Sequence, residues 1–411
     1  MPEKRLVDDW LAGYLSLTSE QESPESLHLW TALTVISASI RRKVWIDLEQ
    51  GKVFPNIYVI IVAESARVRK STAMDIGRDL LIDAIPDMRI MRDSMTSQGL
   101  IKSMNHKVQV IKDDKITEEL RSDVAIFADE VANLFSYERT RASQMVIFLT
   151  RTYGCPGIYD HTTVRDSTVR LHNLYPVLLG GTDPRNLKVL PDDAVGGLTG
   201  RLIWVVESQR RKNNSGWKRD SRKVLERQAL REALMHDLQC IAKLQGEVKV
   251  ETRAMDLFDD WYNTLAQKDI KDPEIDAFYQ RCHTTALRLA ILVSLSKSSD
   301  MVITSNHMKA GIALIEQVQP EMKRIAVWAG NSQFEQQRAK FLDYMQKSGG
   351  ISTRRRIMKH MGMLAQDFDN LSNTLVQDGS IEIASRPVGN EIPIRLTKEG
   401  LSNTARNVKE P

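Results

Sequence analysis

Cysteine is scarce in this chain. Its three copies in 411 residues, Cys155, Cys240 and Cys282, are scattered, with no C-x-x-C pair. That pattern suggests neither a disulfide framework nor a zinc site, and a reducing cytoplasm is the expected setting. Long apolar runs are missing as well. No stretch reaches membrane-spanning length, and no N-terminal apolar segment has the form of a signal peptide. There is no internal repeat and no long low-complexity segment. An excess of one charge is also lacking. Lys and Arg number 57 against 53 Asp and Glu, a net charge of +4. That is too mild to argue for nucleic acid, so the distribution of charge must carry any such argument. What remains is an ordinary globular balance, 27% charged and 42% apolar, long enough for two or three domains with a large core.

The organising stretch is Ile57 to Thr72, IYVIIVAESARVRKST. It opens as a β-branched apolar run, short enough for one buried strand. A small-residue turn follows, and Arg69-Lys70-Ser71-Thr72 then opens a helical pattern. Strand, tight loop, Lys-Ser and helix is the order of a phosphate-binding loop. Backbone N–H groups at a helix N-terminus point at an anion, and the helix dipole favours negative charge there. Ser65, Ala66, Arg67, Val68, Arg69, Lys70, Ser71 and Thr72 would form the cradle, with Lys70 on the phosphates and the Ser71 hydroxyl on Mg²⁺. Glycine is absent where that loop expects it. Glu64 and Arg69 hold the two glycine positions, and glycine matters there for positive φ and close approach. The small Ala63 and Ala66 would allow a shifted loop to wrap an anion. The competing reading is a plain strand-to-helix turn with a basic patch.

A second strand supplies acid. Residues 123–130 read DVAIFADE, a buried run ending in Asp129-Glu130. Strand C-terminal ends are where open α/β sheets bind ligands. In a P-loop ATPase the Asp holds Mg²⁺ and the Glu orients or deprotonates the attacking water. YPVLLG, Tyr175 to Gly180, is a third strand ending near Thr182, which stands where a γ-phosphate sensor would sit. RLIWVVE is a fourth, introduced by glycines that present Arg201, a candidate arginine finger for a neighbouring subunit. A surface turn is the plainer reading of Arg201.

These features together resemble the large family of bacterial, phage and mobile-element P-loop proteins described as primase/helicases or as having no known function. The resemblance covers roughly residues 10 to 320. It rests on LHLWTALTVISASIRRKVWI, FPNIYVIIVAESARVRKST, MTSQGLIKSM, IFADEVANLF, YPVLLGGTDP, GGLTGRLIWVV and HTTALRLAILVSL. It implies a RecA-like or AAA+-like ATPase core. In that family the phosphate loop often carries Arg-Lys where other NTPases carry Gly-Lys, as Arg69-Lys70 does here.

Elsewhere the chain reads as follows. Val7 to Leu17 and Leu27 to Ile40 have helical spacing, with Pro24 as an N1 residue. Arg41-Arg42-Lys43 complements the second helix's dipole or touches nucleic acid. Tyr159 to Leu171 alternates as a hairpin, where His161, Arg165 and Arg170 could track a phosphate backbone in a central pore. Gln209 to Arg222 is polar, basic and expected to be a flexible loop. From Lys223 onward the pattern is helical. Arg288, inside ALRLAILV, needs an anionic partner and could be a second γ-phosphate sensor or half of an internal salt bridge.

Residues 334–399 read as three helices and a hairpin, a winged helix. Its third helix carries Asp367, Asp369 and Asp378 and no cation, which argues against base reading. Arg354, Arg355, Arg356, Lys359 and, in the wing, Arg386 could bind phosphates. A protein-contact winged helix is the alternative.

The sequence therefore predicts an α/β chain in five parts. These are a helical N-terminal region (1–50), a P-loop NTPase core (51–212), a helical lid (213–330), a winged helix (334–399) and a disordered tail (400–411). The expected function is an ATP- and Mg²⁺-dependent nucleic-acid motor, a hexameric replicative DNA helicase of a phage or mobile element, with other replication proteins as further partners. A helicase loader, or a DNA-binding adaptor with an inactive P-loop, are the alternatives.

Overall fold

The computed structural model describes residues 4–92, 96–112, 115–135, 139–162, 168–189, 197–215, 217, 221–268, 270, 273–322, 325, 333–384 and 392–397. Contacts divide the chain into two compact units, Met1–Trp328 and Ala329–Pro411.

The first unit begins with helices α1 (Trp10–Leu17) and α2 (Glu25–Ile40) and the hairpin β1 (Val44–Leu48) and β2 (Gly51–Val53). Then come β3 (Tyr58–Val62), α3 (Lys70–Ala84), β4 (Ile90–Arg92), α4 (Ser97–Met104), β5 (His106–Lys112) and β6 (Lys115–Ala128). Next are α5 (Ala132–Phe135), α6 (Arg139–Thr152), β7 (Ile158–His161), β8 (Val169–His172), β9 (Leu174–Thr182) and β10 (Leu202–Val206). Helix α7 (Ser221–Ala242), short strands β11 (Gly246–Glu247) and β12 (Lys249–Val250), α8 (Thr252–Ala266), α9 (Pro273–Lys297), β13 (Val302–Ile303) and α10 (Ser305–Val318) complete it.

The central sheet runs β10-β3-β9-β6-β4 with every neighbouring pair parallel, and β5 adds to β6 antiparallel. Every residue of β3 and of β9 is buried. That explains their unbroken apolar runs, because a parallel sheet covered on both faces has no solvent side to alternate with. The registers align the strand ends. Val62 pairs with Thr182, and Ala128 pairs with Gly180. The C-terminal ends of β3, β9 and β6 thus lie side by side.

The sequence reading stops short at β6. Only its last turn-proximal run was legible as a strand, whereas the strand starts at Lys115 and forms a long hairpin with β5. The earlier half mixes charges into its pattern, which hides strand from helix.

The N-terminal helices are fixed by local chemistry and by partners far along the chain. The Asp9 carboxylate caps α1 through the N–H groups of Leu11 and Ala12. Trp10 donates its indole N–H to the Leu234 carbonyl of α7 at 2.8 Å. The Asp237 carboxylate of α7 accepts the N–H groups of Leu6 and Val7 at 2.8 and 2.9 Å. Pro24 takes the N-cap position of α2, one residue outside the N1 position expected for it.

The triplet Arg41 to Lys43 is not a solvated dipole cap, because each cation finds a partner within the protein. Arg41 is buried and pairs with Asp87 at 2.8 Å and Asp123 at 3.2 Å. Arg42 donates to the Cys155 carbonyl, and Lys43 donates to the Ala242 carbonyl at 2.6 Å. Residues 209–215 likewise are a fastened segment, not a loose loop. Arg211 pairs with Glu25 at 2.9 Å, Lys212 with Glu20 at 2.9 Å, and the Asn214 N–H reaches Glu22 at 3.1 Å.

The second unit has its own core of Phe341, Ile357, Phe368, Leu371, Leu375 and Ile394. Helices Gln333–Lys347, Arg354–Met361 and Ala365–Gln377 pack with a three-stranded antiparallel sheet. Strand Pro393–Leu396 is central, between Ile351–Thr353 and Ile381–Ile383. The strand Ile351–Thr353 is an addition to the expected order. Arg386 lies outside the described residues.

Candidate functional site

The pocket opens where the C-terminal ends of β3, β9 and β6 meet the start of α3. Its volume is about 740 Å³. From the loop it takes Ser65, Ala66, Arg69, Lys70, Ser71 and Thr72, and from the end of β6 Asp129 and Glu130. Of the remaining loop residues, Val68 is buried in the core and Arg67 pairs with Glu64 at 2.7 Å.

The loop takes its shape without glycine. Ala66 has φ 60° and Arg69 has φ 55° with ψ 45°, so both are left-handed. Arg69 thus holds the backbone conformation that the phosphate-loop pattern assigns to glycine, at a cost of about 1–2 kcal/mol. Its side chain offsets part of that by pairing with Glu22 at 2.9 Å. A second tie runs from the Arg210 guanidinium to the Arg67 carbonyl at 2.7 Å. The fastened segment 209–215 therefore braces the loop from outside.

Helix α3 begins at Lys70 with no side-chain cap. Its first intrahelical bond is Ala73 N–H to the Arg69 carbonyl. The N–H groups of Lys70, Ser71 and Thr72 have no backbone acceptor among the described residues. Such orphan donors, at the positive end of the helix dipole, favour an anion.

The Lys70 ammonium spans the ends of two strands, donating to the Ala63 and Thr182 carbonyls at 2.8 Å each. Burial lowers its pKa, against the opposing pull of Glu130, Asp183 and Asp129.

The acid side is equally restrained. Thr182, buried at the end of β9, donates its hydroxyl to Glu130 Oε1 at 2.6 Å. Asn186 donates its amide to Glu130 Oε2 at 3.0 Å. Asp183 accepts the Ser65 N–H at 2.9 Å, and the Arg185 guanidinium at 2.8 Å on each oxygen. Those bonds, led by the one from Arg185, hold the Asp183 carboxyl well below the usual carboxylate range. Gly181 lets β9 pass under this acid. A Cβ there would meet the Asp129 carbonyl at 2.8 Å and the Lys70 Cε at 3.6 Å.

The donor set fits a nucleoside triphosphate with Mg²⁺. Unused N–H groups and Lys70 suit phosphate, while the Ser71 hydroxyl and the Asp129 carboxylate suit a hard cation that takes oxygen ligands. Mg²⁺, when bound, would neutralise phosphate charge.

Compared with known proteins, the chain matches no family model. No curated protein matches it either. Among solved structures, it is similar to a full-length MCM homolog from Methanopyrus kandleri, at 11% identity and a TM-score of 0.41. The likeness covers 75% of this chain and 58% of that one.

Other residues singled out from sequence lie away from this pocket. Leu202 and Tyr58 begin β10 and β3, so Arg201 stands at the opposite, N-terminal end of the strands. That is about 13 Å of strand from the pocket edge. Its guanidinium is half-buried and donates to the Gly197 carbonyl. Arg288 is at that same end of the strands. It donates to the Asn56 carbonyl at 2.6 Å and the Tyr153 carbonyl at 3.2 Å, and lies over the Tyr153 ring at 4.0 Å. Its partners are carbonyl oxygens and an aromatic face. Among the described residues it therefore pairs with no carboxylate, and these partners hold it away from the phosphate pocket.

In the β7–β8 hairpin, Arg165 lies outside the described residues, and Arg170 is paired to Asp160 at 2.7 Å. In the second unit, Arg354 is paired to Asp369 at 2.8 Å. Arg355, Arg356 and Lys359 are exposed on the same helix.

Asp183, Arg185 and Asn186 line the pocket but did not stand out in the sequence. Their signal is the polar run TDPRN directly after a buried strand.

Proposed function

We propose that this chain is an ATP-dependent nucleic-acid motor, a hexameric replicative DNA helicase of a phage or mobile element. One observation carries the reading. A lysine at an uncapped helix N-terminus and an Asp-Glu pair from a neighbouring region of the sheet line one pocket, and the Glu is held by two side-chain donors.

In this reading the loop N–H groups and Lys70 bind the phosphates, and Ser71 and Asp129 hold Mg²⁺. Glu130 takes the proton of the attacking water, oriented by Thr182 and Asn186. Thr182 thereby senses the γ-phosphate through Glu130. Arg201 completes the site of a neighbouring subunit, which requires a ring. Helices α7 to α10 form the lid. The unit Ala329–Pro411 is a winged helix that contacts phosphates through Arg355, Arg356 and Lys359.

Strand displacement on a forked DNA, with light scattering of the same sample, tests this proposal. The expected result is ATP-dependent displacement by a ring-sized particle. A monomer at high concentration with ATP and DNA, inert on the fork, would count against it.

A further inference from the structure

The hairpin β1–β2 and helices α8 and α9 enclose an open groove of about 810 Å³ in the first unit. It shares no lining residue with the phosphate pocket.

Its floor is apolar and aromatic. Helix α8 has a wider apolar stripe than its neighbours cover. Met255 stays 48% exposed and Tyr262 43%, and Leu48 on the hairpin is 41% exposed. Phe258 stacks on Tyr262 with centroids 6.3 Å apart, and Tyr262 meets the His283 ring edge-on at 5.3 Å. A contiguous exposed surface of this kind marks an interaction site more often than a bare monomer face.

Its rim has one sign. Asp47 and Glu49 on the hairpin, Glu247 on β11 and Asp259 on α8 are exposed, and none of their carboxylates has an ion-pair or hydrogen-bond partner among the described residues. Lys52 is the sole lysine or arginine in the lining, and its ammonium is turned onto the Trp45 ring, 4.0 Å from the centroid. Burial lowers the His283 pKa, so that ring adds no positive charge at neutral pH.

We propose that this groove docks a helix of a partner protein, one that carries apolar side chains on one face and Lys or Arg beside them. Apolar anchors fill the aromatic floor, and cations meet the four carboxylates. The charge fixes the class of partner. Unpaired carboxylates around the mouth repel a phosphate backbone, so the occupant is a protein and not nucleic acid.

Fluorescence anisotropy with the full-length chain tests it. The probe is a labelled Leu/Lys peptide of about five helical turns, with Leu at helical spacing, and the control replaces Lys with Glu. The Lys peptide binds with a Kd of about 1–50 μM that weakens as salt is raised, and the Glu peptide does not bind. Glu49→Lys and Asp259→Lys, both at exposed positions, each weaken binding about 10-fold, and Tyr262→Ala does the same through lost contact area. Melting curves matching wild type show that the variants fold. Equal binding of the Lys peptide to wild type and to the double charge reversal overturns the proposal. Absence of peptide binding, with charge reversal instead dissolving self-association in sedimentation, also overturns it, because the occupant is then a second copy of this chain.

Discussion

The hydroxyl of Thr182 donates to one oxygen of Glu130 at 2.6 Å while the amide of Asn186 holds the other at 3.0 Å. If Glu130 is the base of the proposed reaction, bonds to both oxygens aim it before substrate arrives. Replacing Thr182 with Val keeps the shape and removes one donor. Turnover of ATP should fall about 10- to 100-fold, within the range of a misplaced general base. Nucleotide affinity should stay within a few-fold, because Lys70 and the helix N-terminus are untouched. Thr182→Ser should restore most of the rate. Steady-state hydrolysis and equilibrium nucleotide binding, measured side by side, check the split.

Arg69 sits at φ 55° and pairs with Glu22 at 2.9 Å. Arg69→Gly relieves about 1–2 kcal/mol of backbone strain, and gives up a partly exposed ion pair and the lower chain entropy of a non-glycine residue. Stability should change by less than about 1 kcal/mol. Arg69→Val puts a β-branched residue at positive φ and should cost more than about 1 kcal/mol. Thermal melts of the pair separate a backbone effect from a charge effect.

Gly181 has room for no side chain, since its Cβ would sit 2.8 Å from the Asp129 carbonyl. Gly181→Ala must push β9 and the Asp129 turn apart. The expected cost is about 1–3 kcal/mol of stability, as for other overpacked interiors. Hydrolysis should fall with it. A variant of full stability and full activity would contradict this packing.

His28 is buried, with neither ring nitrogen bonded to a protein partner among the described residues. Burial, helped by Arg211, lowers its pKa to about 4. The unfolded chain binds the proton more readily, near the ordinary value of about 6.5. Stability contributed by the neutral ring is therefore full above that value. It is lost as pH falls from about 6.5 to about 4, by up to about 3 kcal/mol. His28→Phe should remove this component. The test is the unfolding free energy in urea at pH 7 and pH 4.5 for both proteins. Parallel pH dependence in the two would refute the assignment.

The sequence made the sheet legible wherever burial on both faces left an unbroken apolar run, as in β3, β9 and β10. It also made Lys70, Ser71, Asp129 and Glu130 legible, because each stands just beyond such a run. It could not place Arg201 and Arg288. Arg201 precedes β10, so its end of the sheet follows only once β10 is known to run parallel to β3, and Arg288 is placed by Asn56 and Tyr153, far away in the chain. Nor could it show that Arg41, Arg42 and Lys43 find separate partners at Asp123, Cys155 and Ala242, far along the chain. The Arg69 conformation was equally hidden. A missing glycine reads as a missing loop, whereas here the surrounding ion pairs hold a non-glycine residue in the glycine conformation.

The proposed function requires Glu130 to activate water in a nucleotide pocket coupled to DNA. The most direct test is ATP hydrolysis by wild type and Glu130→Gln, each with and without single-stranded DNA, alongside nucleotide binding. The account predicts hydrolysis that rises with DNA in wild type. It predicts loss of about 100-fold or more in the variant, with binding retained. Nucleotide binding without hydrolysis in wild type, or equal hydrolysis by the two proteins, would contradict it.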